Sequence, residues 1–158
     1  MGGEYRIQRV LPSVSGGLWV RIPAGTVLDA TIAIDVRLAS GRGNNTGVGL
    51  GCRLGRDSQT GYVGVIFPND TGWSVSRLSR GIPQTLASGQ SSVVRRGNAT
   101  NHLELTCAGD RLIFKANGGE LQNLRVLGSD EGRMQMLFSP EGGQTAEARF
   151  DNLVVTQR

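Results

Sequence analysis

The segment that decides the fold is Asp29–Ser40, DATIAIDVRLAS. Ala30, Ile32, Ile34, Val36 and Leu38 alternate there with Asp29, Thr31, Ala33, Asp35 and Arg37. Successive side chains of a strand point to opposite faces, so strict period two describes a strand with one apolar face and one wet face. The same period recurs in GVGLGCRLG, where Val48, Leu50, Cys52 and Leu54 fall on one face, and in GRMQMLFSP, with Met134, Met136 and Phe138 together. Further short runs are EYRIQRV, GLWVRIP, GYVGVIFP, GWSVSRL, NHLELTC, RLIFKAN and ARFDNLVV. Most are divided by turn-forming clusters such as Gly41-Arg42-Gly43-Asn44-Asn45 and Pro68-Asn69-Asp70-Thr71-Gly72. No stretch of helical length carries a 3.6-residue period. Ten or more short strands at spacings near ten residues predict an all-β antiparallel sandwich or barrel, and the reading favours a jelly-roll β-sandwich over residues 1–158 as one domain, a module of a larger protein.

Composition agrees. A chain of 158 residues can bury roughly 70% of its unfolded surface, enough for a core without metals. Glycine occurs 24 times, dispersed as punctuation between apolar runs. No apolar stretch approaches the roughly 20 residues of a membrane helix, and MGGEYRIQRV lacks a signal peptide's apolar centre, so a water-soluble chain without membrane insertion is expected. The net charge is +4, almost all of the cations are arginine, and the longest basic run is Arg95-Arg96. With aromatics at 5%, the stripe of cations and stacking rings that a nucleic-acid platform needs is missing.

Chemistry-bearing residues are few. The one histidine, His102, has no nucleophile elbow to serve, and with two cysteines on apolar faces it makes no zinc set. Glycoside hydrolysis needs two carboxyls flanking one bond; Asp130-Glu131 lie in a turn and Glu104 stands alone on a strand, so no enzyme is expected. Oxygen donors in or beside turns, Asp57, Asn69, Asp70, Asp151 and Asn152, leave calcium open without a defined ligand set, since such residues also cap turns. Otherwise no cofactor is expected. Cys52 and Cys107 both project from apolar faces, which leaves open a bridge between strands and two free buried thiols.

In order over the last third stand Asn101, Leu103, Cys107, Gly109, Leu112, Asn117 and Gly118, then Gly132 and Leu137, then Phe150-Asp151-Asn152 and Val154 or Val155. Upstream stand Cys52, Arg53, Tyr62 and Gly72. This pattern resembles concanavalin A-like jelly-roll domains, in particular laminin-G-like and 3-keto-disaccharide-hydrolase-like modules of bacterial surface proteins. The resemblance implies a jelly-roll sandwich and a Cys52–Cys107 disulfide, because both positions are recurrently cysteine there. The bridge in turn implies an extracytoplasmic setting. Members of that group are often non-catalytic modules of enzymes, adhesins or membrane-anchored sensors. The expected ligand is therefore a carbohydrate or another surface ligand, with a protein partner or a homo-oligomer as the alternative.

Sugar recognition on a sandwich uses an aromatic face with polar side chains that fix orientation. The candidates are Tyr62, Trp73 and Arg77, with Arg53, Asp57 and Gln59 nearby. Trp73, Val75 and Arg77 share one face of their strand. They form an open platform if Val75 points outward, and Trp73 becomes core if it points inward. Trp19, between Leu18 and Val20, is a lesser candidate.

Overall fold

A computed structural model describes residues 5–9, 18–57, 59–127, 131–141 and 145–158. The described residues form twelve strands: β1 (Tyr5–Arg9), β2 (Leu18–Val27), β3 (Ala30–Ser40), β4 (Gly47–Leu54), β5 (Gly61–Phe67), β6 (Gly72–Ser79), β7 (Ile82–Gln90), β8 (Asn101–Ala108), β9 (Arg111–Ala116), β10 (Gly119–Arg125), β11 (Gly132–Ser139) and β12 (Ala146–Gln157). They build two six-stranded sheets, β1-β12-β3-β8-β9-β10 and β2-β11-β4-β5-β6-β7, and every pairing is antiparallel. No helix long and apolar enough to cross a membrane occurs among the described residues.

Period two sets the inner faces. Ile32, Ile34 and Val36 of β3, Leu103, Leu105 and Cys107 of β8, and Phe114 of β9 meet Val48 and Leu50 of β4, Ile66 of β5, and Met134, Met136 and Phe138 of β11 in one core. Each fully buried Leu, Ile or Phe here contributes roughly 1.5–3 kcal/mol by leaving water. Cys52 and Cys107 are joined as a disulfide with their Cα atoms 6.5 Å apart, stapling β4 of one sheet to β8 of the other.

Two asparagines close one end of the sandwich. Asn117 and Gly118 both have positive φ, 52° and 80°, the twist that a two-residue turn between β9 and β10 requires. The Asn117 side chain accepts from His102 N at 2.8 Å and donates to Val93 O at 2.7 Å and to Asn101 Oδ1 at 2.8 Å. Asn101, buried, in turn accepts from Arg95 N at 2.8 Å and donates to Arg95 O at 3.1 Å. The 91–100 connection is thereby pinned over the core, with Val94 inside it.

Three sequence readings change. Leu54 leaves the Val48-Leu50-Cys52 face, because Arg53 takes a left-handed φ of 52° in a bulge opposite β11; the parity flips, and Leu54 packs on the outer side of its sheet. Strands β7 and β10 add to the runs picked out by period. Both are edge strands, β7 exposed nearly throughout and β10 bulged between Glu120 and Gln122, so neither keeps a clean alternation.

Candidate functional site

The outer face of the second sheet carries an apolar cluster of its own. Leu54, Val63, Val65, Leu78 and Leu137 are buried there, with half-buried Trp19 and Phe67 packed against them. Cross-strand register arranges the face in rows. One runs Trp19, Leu137, Gly49, Val65, Ser74, Ser88; the next runs Gln135, Gly51, Val63, Ser76, Thr85. In these rows the apolar side chains lie on β2, β11 and β5 and hydroxyls on β6 and β7, with Leu78 of β6 and Pro83 of β7 apolar beside the hydroxyls. Between the two halves is a groove of about 430 Å³ whose lining, among the described residues, includes Trp19, Val65, Phe67, Ser74, Ser76, Pro83, Thr85 and Ser139 and no charged side chain.

Glycines of β4 make room for it. At Gly49 an added Cβ would run into the Gly64 carbonyl oxygen and come within 2.9 Å of Val65 Cα; at Gly47 and Gly51 it would lie 2.6 Å from Val65 Cγ1 and from Leu54 Cδ1. Neighbouring apolar side chains thus lean across the Gly47–Gly51 part of β4, where alternate glycines present no side chain outward. GVGLGCRLG shows this signal in its alternate glycines, read above only as the complement of an apolar face.

The residues predicted from sequence are placed differently. Val75 is buried in the main core, so Trp73, Val75 and Arg77 belong to the inner side of β6, and the condition for an open Trp73–Arg77 platform is not met. Trp73 is half-buried at the core margin, its indole within 3.3 Å of where a Cβ on Gly89 would stand. Tyr62 is also inward and buried, and its hydroxyl donates to Leu127 O at 2.6 Å. Arg53 is buried with its guanidinium tied to the backbone: Nε donates to Leu28 O at 3.0 Å, and Nη2 to Gly109 O at 2.9 Å and to Asp29 Oδ1 at 3.0 Å. Asp57 accepts from Gln59 N at 3.2 Å within an exposed loop, and Gln59 O accepts from Gly81 N at 2.9 Å.

The structure does bring Arg53, Tyr62 and Arg77 together. With Thr60, Ser79, Leu127 and Glu131 they line a smaller cavity of about 200 Å³ at the end of the sandwich. Trp73, Asp57 and Gln59 are not among its lining residues. Trp19, which sequence ranked lower, is the tryptophan on the outer groove.

On the outer face of the first sheet, Asp35 is held by two side chains. Its Oδ1 meets His102 Nδ1 at 2.7 Å and its Oδ2 accepts from Asn152 Nδ2 at 2.7 Å. Burial pushes this carboxyl up, but the Asn152 amide and then the His102 imidazole outweigh it and hold the carboxyl below the usual aspartate value of 3.8. Glu147 is held low too, by the hydrogen bond from Arg149 at 2.7 Å and, against some burial, by the charge of Arg6 at 2.9 Å.

The oxygen donors considered for calcium are spread over the fold. Asn69 donates to Gly41 O and Gly43 O, Asp70 accepts from Gly72 N, and Asp151 accepts from Asn152 N. Among the described residues no group of three or more His, Cys, Asp or Glu is placed to hold a metal ion.

No protein-family model matches the chain, and no curated protein matches it. Solved structures do. The carbohydrate-binding module CBM66 from Bacillus subtilis superposes with a TM-score of 0.78 at 18% identity, covering 91% of this chain and 84% of that one. A Bacillus subtilis protein of unknown function with a galectin-like fold gives 0.71 at 13% identity, over 96% of this chain and 81% of that one. The Bacillus licheniformis β-glucanase gives 0.68 at 12% identity, over 99% and 79%. At these identities the likeness is one of fold: the chain has an antiparallel jelly-roll β-sandwich fold similar to theirs, the fold that the sequence resemblance implied.

Proposed function

We propose that the protein is a non-catalytic, extracytoplasmic carbohydrate-binding module of a larger protein, and that its sugar lies in the groove on the outer face of the second sheet. The observation that carries this is the composition of the groove: an aromatic and aliphatic wall facing one on which Ser74, Ser76 and Thr85 set hydroxyls beside Leu78 and Pro83. Sugars present CH-rich faces and hydroxyl edges, which such walls match. Glycoside cleavage needs a pair of carboxyls about 5 to 9.5 Å apart, and the described lining contains no carboxyl. The inter-sheet disulfide supports an oxidising compartment. Proteins of similar fold include a carbohydrate-binding module and a galectin in complex with glycerol, in keeping with the same class of ligand.

A panel of immobilised polysaccharides in affinity electrophoresis tests the reading. Retardation that falls when Trp19 is replaced by Ala supports it; no retardation on any glycan overturns it. The end cavity holding Arg53, Tyr62 and Arg77 is the second candidate contact, and Arg77→Ala reports on it in the same gels.

The alternative, an assembly or sensor domain making protein contacts, is favoured by one feature. Strand β7 is an uncharged edge strand with Ile82 69% and Leu86 41% exposed, and an unpaired edge can template pairing with another chain. Its bulge at Leu86 and Pro83 blunt that edge. Light scattering separates the two: a monomer at all concentrations counts against assembly.

A further inference from the structure

Resting on the carbohydrate-binding reading, we propose that the groove takes the interior of an uncharged glycan chain laid across the strands, recognised by its flat apolar face and not by a charge or a chain end. The course of the groove comes first. Its lining begins with Trp19 on edge strand β2 and ends with Thr85 on edge strand β7, the two outermost strands of the sheet. Six strands at about 4.8 Å give a track of about 24 Å, much longer than one sugar ring. A site for a chain end needs a wall that stops the chain, and none of the described strands crosses the track.

The chemistry of the two walls comes second. Ser74, Ser76, Thr85 and Ser139 supply hydroxyls, each able to donate or accept, so they can follow a sugar hydroxyl without demanding one orientation. Among the described residues the lining has no arginine, lysine, carboxylate or side-chain amide. Bidentate recognition of carboxylate or sulfate, which rests on guanidinium geometry, is therefore not built into it. Arg21, the next outward position of β2 after Trp19, lies outside the lining. The strongest single contact is the Trp19 indole, and aromatic anchors carry most of the free energy in such sites.

Affinity electrophoresis on neutral probes (cellulose, β-1,3-glucan, xylan, mannan) and anionic probes (polygalacturonate, heparin), at low and high salt, begins the test. It is followed by calorimetry with an oligosaccharide ladder, disaccharide to octasaccharide, of the retarding neutral glycan. Retardation by neutral probes that survives high salt, affinity that climbs with chain length before levelling, and a loss of about tenfold or more for Trp19→Ala with Trp19→Phe intermediate support the inference. Circular dichroism confirms that the variants are folded, and Ser74→Asp, at a half-exposed hydroxyl on the other wall, gives a second reading by weakening the same binding. A monosaccharide that competes as well as the octasaccharide, or tighter salt-sensitive binding of an anionic probe, overturns the inference and leaves carbohydrate binding standing. Binding that resists Trp19→Ala and Ser74→Asp but is lost in Arg77→Ala does the same, moving the site to the end cavity. Silence on every glycan overturns both.

Discussion

The two sheets of this sandwich share a core and differ on their outer faces. On the first sheet, like charges stand directly opposite: Arg6 faces Arg149, Arg149 faces Arg37, and Asp151 faces Asp35, whose other neighbour is His102. Such pairs are unfavourable unless relieved, and the face relieves them itself. Glu147 reaches both Arg6 and Arg149, and Asp35 is engaged by His102 and Asn152. On the second sheet most outward positions are apolar, hydroxyl or glycine, with Gln135 and Arg21 beside them, and the described lining of the groove carries no charge. A polar face that satisfies its own groups is an ordinary solvated surface. An apolar cluster left open beside hydroxyls marks a surface used for something else.

The staple that holds both faces in place gives the largest expected effect. Replacing Cys52 and Cys107 by Ala opens a loop with a sequence separation of 55, and denaturant unfolding is expected to show a loss of about 4 kcal/mol in the chain-entropy account. An unchanged midpoint in the oxidised and reduced wild type would contradict it.

Next come matched substitutions on the two faces. Gly49→Val places side-chain atoms against the Gly64 carbonyl and Val65 under the groove; it is expected to cost about 1–3 kcal/mol by overpacking. Ala33→Val, outward on β3 of the first sheet, is expected to stay within about 0.5 kcal/mol. Equal costs would remove the distinction between the faces. For binding, Trp19→Ala is expected to weaken the glycan complex about tenfold or more, about 1.4 kcal/mol, while Arg37→Ala leaves it within about twofold by calorimetry.

The smallest effect separates the faces by pH. The Asp35 carboxyl is held below its ordinary value, so its contribution to stability is fully present above pH 3.8 and fades as pH falls through the lower folded value. The groove lining has no titrating group. Asp35→Asn is therefore expected to flatten the acid limb of the thermal stability profile without altering glycan binding at neutral pH; an unchanged acid limb would refute the role given to Asp35.

How far these faces could be read in advance depended on how different the two sides of each strand were. In β3 and β8 every buried inward residue but Asn101 is apolar and most outward ones are polar, so period two assigned sides directly. Cys107 followed Leu103 and Leu105 inward, and the family pattern supplied its partner. In the second sheet both sides are apolar: β5 buries Tyr62 and Ile66 inward and Val63 and Val65 outward. Parity there cannot be taken from composition, which is why Tyr62 and Trp73 stood as platform candidates while Trp19 ranked lower. Arg53 adds a second difficulty. A bulge with positive φ at a non-glycine residue leaves little trace in sequence, yet it turns Leu54 to the other face and draws an arginine into the interior.

The most direct test of the groove is a titration of isotopically labelled protein with the retarding glycan, followed by amide and indole resonances. The account predicts that the Trp19 indole and the amides of Val65, Ser74, Ser76 and Thr85 shift, while those of Asp35, His102 and Thr106 stay in place. Shifts gathered around Tyr62, Arg77 and Leu127, or across the first sheet, with the Trp19 indole unmoved, would contradict it.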